Sequence, residues 1–277
     1  MKIAVLSGKG GTGKTTFSAS FAYSINGCQY IDCDVEEPNG SIFLKPHISE
    51  SIPVKVSVPV VDEGKCTGCG KCAHACQFNA IAVVKGNVLL FSELCHHCGA
   101  CVIACPEKAI FEEDRTIGVI EKNADGSFMQ GRLNISEPVS IPIISELKKR
   151  INTDKTSVID CSPGASCTVV ESIDGCDYCI LVTEPTPFGL HDLKIAVELV
   201  RLMKIPYGVV INKSSKEKNN NIKEYCSKEN INVLMEIPFS QEIARAYSKG
   251  ILPVQDNPGL TEEFINLFKR LERGVCR

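Results

Sequence analysis

The run Gly8-Lys9-Gly10-Gly11-Thr12-Gly13-Lys14-Thr15 matches the spacing G-x-x-x-x-G-K-[ST], a loop whose backbone N–H groups can surround a phosphate. An apolar strand pattern, Ile3-Ala4-Val5-Leu6, precedes it, and a helical pattern from 14 to about 25 follows. The loop needs that order. Its glycines let the backbone come close, and the helix N-terminus adds a favourable dipole. Lys14 is expected on the β- and γ-phosphates, and Thr15 on Mg2+ through its hydroxyl. Thr16 completes the expected phosphate cradle.

Outward from this loop, short β-rich runs recur at Tyr30-Ile31-Asp32, Ser157-Val158-Ile159-Asp160, Tyr178-Cys179-Ile180-Leu181-Val182, Gly208-Val209-Val210-Ile211 and Asn232-Val233-Leu234-Met235. Helical patterns separate them, as at 190–203, where Leu193, Val197, Leu199 and Val200 can share a buried face. Such alternation predicts an α/β fold with a mostly parallel sheet and right-handed crossovers. The 277 residues are 44% hydrophobic, enough for a substantial core. A net charge of −3 argues against a broad basic face for nucleic acid. No apolar run reaches the length of a spanning helix, and the first residues lack the pattern of a secretory signal. The expectation is a cytoplasmic protein with neither a nucleic acid nor a membrane as partner.

Sixteen cysteines stand out. In a reducing compartment they point to metal rather than to disulfides. The segment 62–109 interrupts the α/β pattern and contains a repeat. Cys66, Cys69, Cys72 and Cys76 recur as Cys95, Cys98, Cys101 and Cys105, each shifted by 29, and Ala80-Ile81 recurs as Ala109-Ile110. Each half reads C-x2-C-x2-C-x3-C. Three such thiolates can grip one iron–sulfur cube, and the fourth ligates the other cube. Cys66, Cys69, Cys72 and Cys105 are therefore assigned to one [4Fe–4S] cluster, and Cys76, Cys95, Cys98 and Cys101 to a second. Two zinc sites are the competing reading, but zinc sites favour paired ligands over runs of four. With eight thiolates completing two cubes, His74, His96 and His97 are expected at the surface. Gly68, Gly70 and Gly99 allow close wrapping. The segment resembles bacterial two-cluster ferredoxins, departing at Gln77, where that family has proline; Pro106 keeps it in the second half. The predicted organisation is an ATPase domain over 1–58 and 116–277, with a small α+β ferredoxin-like domain inserted at 59–115.

Lys9 extends the first motif to K-G-G-x-G-K-[ST], which resembles the deviant Walker A loop of the MinD/ParA/Mrp superfamily, relatives of the nitrogenase iron protein. The resemblance implies a homodimer that closes on ATP, with Lys9 reaching the partner's phosphates; a solvated loop lysine is the plainer reading. Asp32-Cys33-Asp34 resembles the first switch. It implies Asp34 orienting or activating the attacking water and Asp32 near the Mg2+ shell, although an aspartate there can also cap a helix. Ser157 to Asp160 fits a Walker B strand, with Asp160 on Mg2+ through water. Cys161-Ser162-Pro163-Gly164 resembles the second switch, and Gly164 could donate its N–H to the γ-phosphate. Asn212-Lys213 begins a guanine-reading motif, but Ser215 replaces its aspartate. ATP is thus favoured over GTP, with Asn212 on the adenine and Pro238 lining its pocket. Asn212 could equally be a turn residue at a strand end.

The remaining cysteines are Cys28, Cys33, Cys161, Cys167, Cys176, Cys179, Cys226 and Cys276. Cys176 and Cys179 could bridge a cluster between subunits, but Cys179 lies in an apolar run and reads more simply as core. Buried packing is expected for Cys161 and Cys167. Phe264, Leu267, Phe268 and Leu271 form a helical stripe expected to pack on the sheet rather than on a membrane.

The whole chain resembles superfamily ATPases that carry a two-cluster insert. That implies an ATPase whose nucleotide state gates electron transfer between an unknown donor and acceptor. The alternatives are an ATP-dependent carrier delivering clusters to apo-client proteins, and a spatial organiser at a membrane or DNA. Because the insert leaves soon after Asp34 and Asn39, the clusters are expected near the nucleotide.

Overall fold

The computed structural model describes residues 1–215 and 220–275. In chain order the elements are β1 (Lys2–Leu6), α1 (Lys14–Ser24), β2 (Gln29–Asp32), α2 (Gly40–Leu44), β3 (Ile48–Val61), α3 (Lys71–Ala75), β4 (Ile81–Val84), β5 (Asn87–Leu90), α4 (Ala100–Ala104), β6 (Ile110–Asn123), β7 (Phe128–Leu133), α5 (Ile141–Lys148), β8 (Ser157–Asp160), α6 (Cys167–Ile173), β9 (Tyr178–Thr183), α7 (Pro187–Leu202), β10 (Tyr207–Ser214), α8 (Asn220–Lys228), β11 (Val233–Pro238), α9 (Gln241–Ser248) and α10 (Pro258–Val275).

One sheet carries the order β11-β10-β9-β1-β8-β2-β7-β6-β3. From β11 to β7 every pairing is parallel, while β6 joins β7 and β3 in antiparallel fashion. The parallel strands are covered on both faces, which is why they read as unbroken apolar runs. Period-two alternation divides them between two cores. Ala4, Leu6, Ile31, Ile159 and Leu181 pack with α5, α6, α7 and α8. Ile3, Val5, Tyr30, Val158 and Ile180 pack with α1 and α10 on the other side. The face expected of α7 is present: Leu193, Val197 and Val200 are buried and Leu199 packs beside them. The C-terminal stripe is likewise a packing stripe. Phe264 meets Phe17 and Phe21 at ring-centroid distances of 5.2 and 6.1 Å.

The edge strands β3 and β6 pair over nearly their whole lengths, from Ile48↔Asn123 to Val61↔Ile110. The alternation Val54, Val56, Val58, Val60 is the local strand signal for β3, in addition to the β-rich runs named above. β7 pairs only with 118–122 of β6. The ribbon therefore overhangs the carboxyl edge of the sheet by about eight residues, on the order of 25 Å. The cysteine-rich unit, 62–109, sits at its tip. Two expectations change. The boundaries at 58/59 and 115/116 fall inside β3 and β6, so the strands run unbroken across them. The cysteines are also held away from the phosphate loop rather than beside it.

Candidate nucleotide cleft and cysteine cradles

At the carboxyl edge of the sheet the loop between β1 and α1 wraps a cleft of about 1480 Å3, open mouth included. It is lined by the loop from Lys9 to Thr16, by Asp34 and Asn39, and by Asn212 and Pro238. Gly13 has to be glycine: its φ is 88°, and a Cβ there would meet Asn212 Nδ2 at 2.2 Å. Lys14, 6% exposed, places Nζ 2.5 Å from Asp160 Oδ1, 3.9 Å from Asp34 Oδ2 and 3.4 Å from Thr15 Oγ1. Burial opposes its charge, but Asp160 and the neighbouring carboxylates outweigh burial and raise its pKa. Tyr30 donates its hydroxyl to Asp160 Oδ2 at 2.9 Å, which holds the carboxylate from its other side.

Asp32 is fully buried and accepts the N–H groups of Asp34 at 3.1 Å and Gly40 at 2.9 Å. It thereby shapes the turn that presents Asp34. Burial and the nearby Asp160 charge push the Asp32 carboxyl up to about 8. Burial pushes Asp34 up to about 6, against the pull of Lys14. The buried hydroxyls of Thr12 and Ser20, both on the cleft wall, have no hydrogen-bond partner. Orphaned donors beside a glycine-lined cradle suit a polyoxygen ligand.

Several expected phosphate and base contacts have internal partners instead. Lys9 Nζ pairs with Glu184 at 2.6 Å within its own chain, and Lys213 pairs with the same carboxylate at 3.2 Å. Lys213 also donates to the Gly11 carbonyl at 2.7 Å, and the Asn212 amide donates to the Thr12 carbonyl at 2.7 Å. Asn212 thus buttresses the loop, closer to its plainer strand-end reading. Gly164, φ 96°, donates its N–H to the Ser7 carbonyl at 2.8 Å rather than into the cleft. Glu184 and Tyr30 escaped the sequence reading. Glu184 directly follows β9 at the carboxyl edge, the position at which open α/β sheets gather ligand-facing residues, and that signal could have found it.

The insert frames two voids. One is lined by Cys76, Cys95, Cys98 and Cys101, the other by Cys66, Cys69, Cys72 and Cys105. The halves thus interleave as the spacing predicts. Backbone N–H groups of Ala80, Ala109 and His97 point at the sulfurs of Cys76, Cys105 and Cys95, at 3.3, 3.2 and 3.5 Å. Among the described residues no three His, Cys, Asp or Glu side chains converge on a point as a single ion requires. Thiols ringing a void, with N–H donors behind them, fit a cubane. Cys72 and Cys101 are buried, while Cys69 and Cys98 are exposed.

Two further expectations need correction. His74 and His96 are exposed, but both ring nitrogens of His97, a residue that lines the second void, are buried. Cys167 is exposed at the start of α6, whereas Cys161 is buried. Cys176 and Cys179 are both buried in the core, in line with the simpler reading of Cys179. Cys276 and residues 216–219 of the polar stretch 214–221 lie outside the described residues. No helix among those residues is long and apolar enough to cross a membrane.

Residues 3–254 match the family described as CobQ/CobB/MinD/ParA nucleotide binding domain. Protein MJ0579 of Methanocaldococcus jannaschii, itself uncharacterized, is 32% identical over 282 residues, 96% of this chain and 97% of that protein. A ferredoxin of the same organism, MJ0155, is 38% identical over 65 residues, 22% of this chain and 42% of its own length; that stretch is about the size of the insert. Among solved structures, the MinD cell division protein of Aquifex aeolicus superposes with a TM-score of 0.57 at 16% identity, covering 98% of this chain and 96% of that one. A phosphate loop on a parallel sheet, a family match over most of the chain and a full-length fold likeness agree, and the chain belongs to the CobQ/CobB/MinD/ParA nucleotide-binding family.

Proposed function

We propose that the protein binds and hydrolyses ATP with Mg2+, and that its nucleotide state governs electron transfer through two [4Fe–4S] clusters. In this reading Lys14 holds the β- and γ-phosphates, with N–H groups from Gly8 to Thr16 around them. Thr15, Asp160 and, more remotely, Asp32 hold Mg2+. Asp34 orients water. Asn212 and Pro238 line the base, and Gly164 turns its N–H from Ser7 to the γ-phosphate. Lys9 leaves Glu184 to cross into a partner subunit, so that binding and dimer closure become one event. Cys66, Cys69, Cys72 and Cys105 would hold one cluster, and Cys76, Cys95, Cys98 and Cys101 the other. When bound, such clusters supply one-electron chemistry. The reading places the protein in the cytoplasm, with an electron donor and acceptor yet to be identified.

One observation carries the coupling. The first-switch turn is bonded to the end of β7 and to the connection after it, and these hold the foot of the ribbon. Val35 accepts the Leu133 N–H at 2.8 Å, and Glu36 accepts the Ser140 hydroxyl at 3.4 Å. The connection after β7 then clamps β6. Asn134 donates to the Ile117 and Thr116 carbonyls at 2.9 and 3.1 Å, and Glu137 pairs with Arg115. A switch that moves with the γ-phosphate would pull on the stalk that bears the cysteines, although no insert residue lines the cleft.

Anaerobic protein is expected to hold about eight irons, and ATP is expected to alter the EPR signal of the reduced clusters. Lys14→Ala should abolish both that response and hydrolysis. An EPR signal indifferent to ATP would sink the coupling. Cluster delivery is the second reading, favoured by the exposure of Cys69 and Cys98. ATP-dependent loss of clusters to an apo-ferredoxin would establish it instead.

A further inference from the structure

The two halves of the insert can be compared position by position. The shift of 29 maps Gly68 onto His97. Both adopt left-handed backbone, with φ of 65° and 57°. At Gly68 the need for glycine is plain, since a Cβ would lie 2.3 Å from the Gly86 carbonyl oxygen. At His97 a side chain is carried in a conformation that disfavours one.

His97 is among the residues that line the void framed by Cys76, Cys95, Cys98 and Cys101, and its backbone N–H points at the Cys95 sulfur. Nδ1 and Nε2 are both shut off from solvent, and neither has a hydrogen-bond partner. The Ser57 backbone is the polar group that approaches the ring, and the Arg115 guanidinium, Glu137 and His96 neighbour it, but none meets either nitrogen in full hydrogen-bond geometry. Every form of an imidazole carries at least one N–H, and a buried donor without an acceptor is costly. The void that His97 lines is where the sulfurs of the second cluster would lie. Gly68 offers the first cluster nothing comparable.

We propose that His97 donates an imidazole N–H to a sulfur of the second [4Fe–4S] cluster and raises that cluster's reduction potential. The inference rests on the reading that two cubes occupy the insert. Such a bond stabilises the more negative, reduced state more than the oxidised one, and hydrogen bonds to sulfur are among the groups that set cluster potentials. It makes two clusters with matching ligand sets inequivalent. It favours electrons on the one seated against the ribbon, where Ser57, Pro59 and Glu112 complete the wall.

The test is a potentiometric EPR titration of the whole anaerobic chain beside His97→Gly, which copies the first half. Iron content should stay at about eight atoms, as two cubes demand. One midpoint potential should fall by roughly the equivalent of a tenfold change in the one-electron equilibrium, about 59 mV, while the other holds. Eight irons with both potentials unmoved would overturn the inference and leave the clusters standing. Wild-type protein without eight irons would overturn both. Should the variant fail to hold iron, 15N-histidine labelling of His96→Gln protein answers independently. An imidazole-nitrogen hyperfine coupling to a reduced cluster is expected, and its absence overturns the inference.

Discussion

The nucleotide cleft and the cysteine insert prepare for ligands in opposite ways. In the cleft the long polar side chains already have partners: Lys14 with Asp160, Lys9 with Glu184, Asn212 with the Thr12 carbonyl. Behind them stand two apolar layers that cover both faces of the sheet. In the insert the fully buried cluster is Cys72, Ile81, Cys101 and Ile110, half of it cysteine. So small an apolar core does not sustain an independent fold. The body is complete in itself and a ligand has to exchange partners with it, whereas the insert lacks the centre that its ligand would supply.

Removing iron is the strongest way to break that contrast. Chelation should strip hydrogen-exchange protection from 62–109 and open it to proteases, while the body keeps its thermal transition. An insert that stays protected without iron would show that its apolar contacts suffice. The reciprocal change is Phe264→Ala. Phe264 is 1% exposed between Phe17 and Phe21, so truncation should cost the body about 3–5 kcal/mol. Denaturant melts would read that loss, with the visible spectrum of the insert unchanged.

A smaller effect tests the strain kept in the cleft. With its carboxyl raised to about 8, folded Asp32 retains a proton that the unfolded chain gives up near pH 4. The folded state therefore binds more protons between those values, and stability without nucleotide should fall as pH rises from about 4 toward 8. Asp34, raised to about 6, contributes the same sign over its narrower window. Asp32→Asn should flatten the slope in melts across that range; an unchanged slope would place its origin elsewhere. The smallest effect belongs to Glu184. Its ion pair with Lys9 is partly exposed and worth at most about 1 kcal/mol. Glu184→Gln should thus shift the ATP dependence of dimer formation by no more than about fivefold, toward tighter closure, as read by sedimentation. Weaker closure would mean that Glu184 supports the active arrangement rather than restraining Lys9.

Much of the site was legible because its chemistry is local. The phosphate loop needs its residues at fixed offsets within one turn, and the strand-end acids Asp32 and Asp160 follow from apolar runs that terminate at the same edge. The eight thiols were legible for the same reason: a constant shift of 29 exposed the duplication, and the C-x2-C-x2-C-x3-C spacing the interleaving. Glu184 and Tyr30 were not, since each acts on residues far along the chain: Lys9 lies 175 positions before Glu184, and Asp160 lies 130 after Tyr30. The ribbon had a local signal, the alternating valines of β3, but its partner β6 is interrupted by charged residues, and pairing at such separation leaves no offset to read.

By itself the sequence determined the chemistry: a phosphate cradle of glycines and lysine, two sets of four thiols, and a parallel α/β frame to carry them. These follow from short-range spacing, where backbone geometry leaves few alternatives. Only the tertiary structure decided distance and partnership. It set the cysteines at the tip of a ribbon that overhangs the sheet, bonded the first switch to the β7 end and connection that clamp that ribbon, and buried the ring nitrogens of His97 where Gly68 has no side chain. Those outcomes depend on strand order and on burial, which long-range packing sets and no local motif encodes.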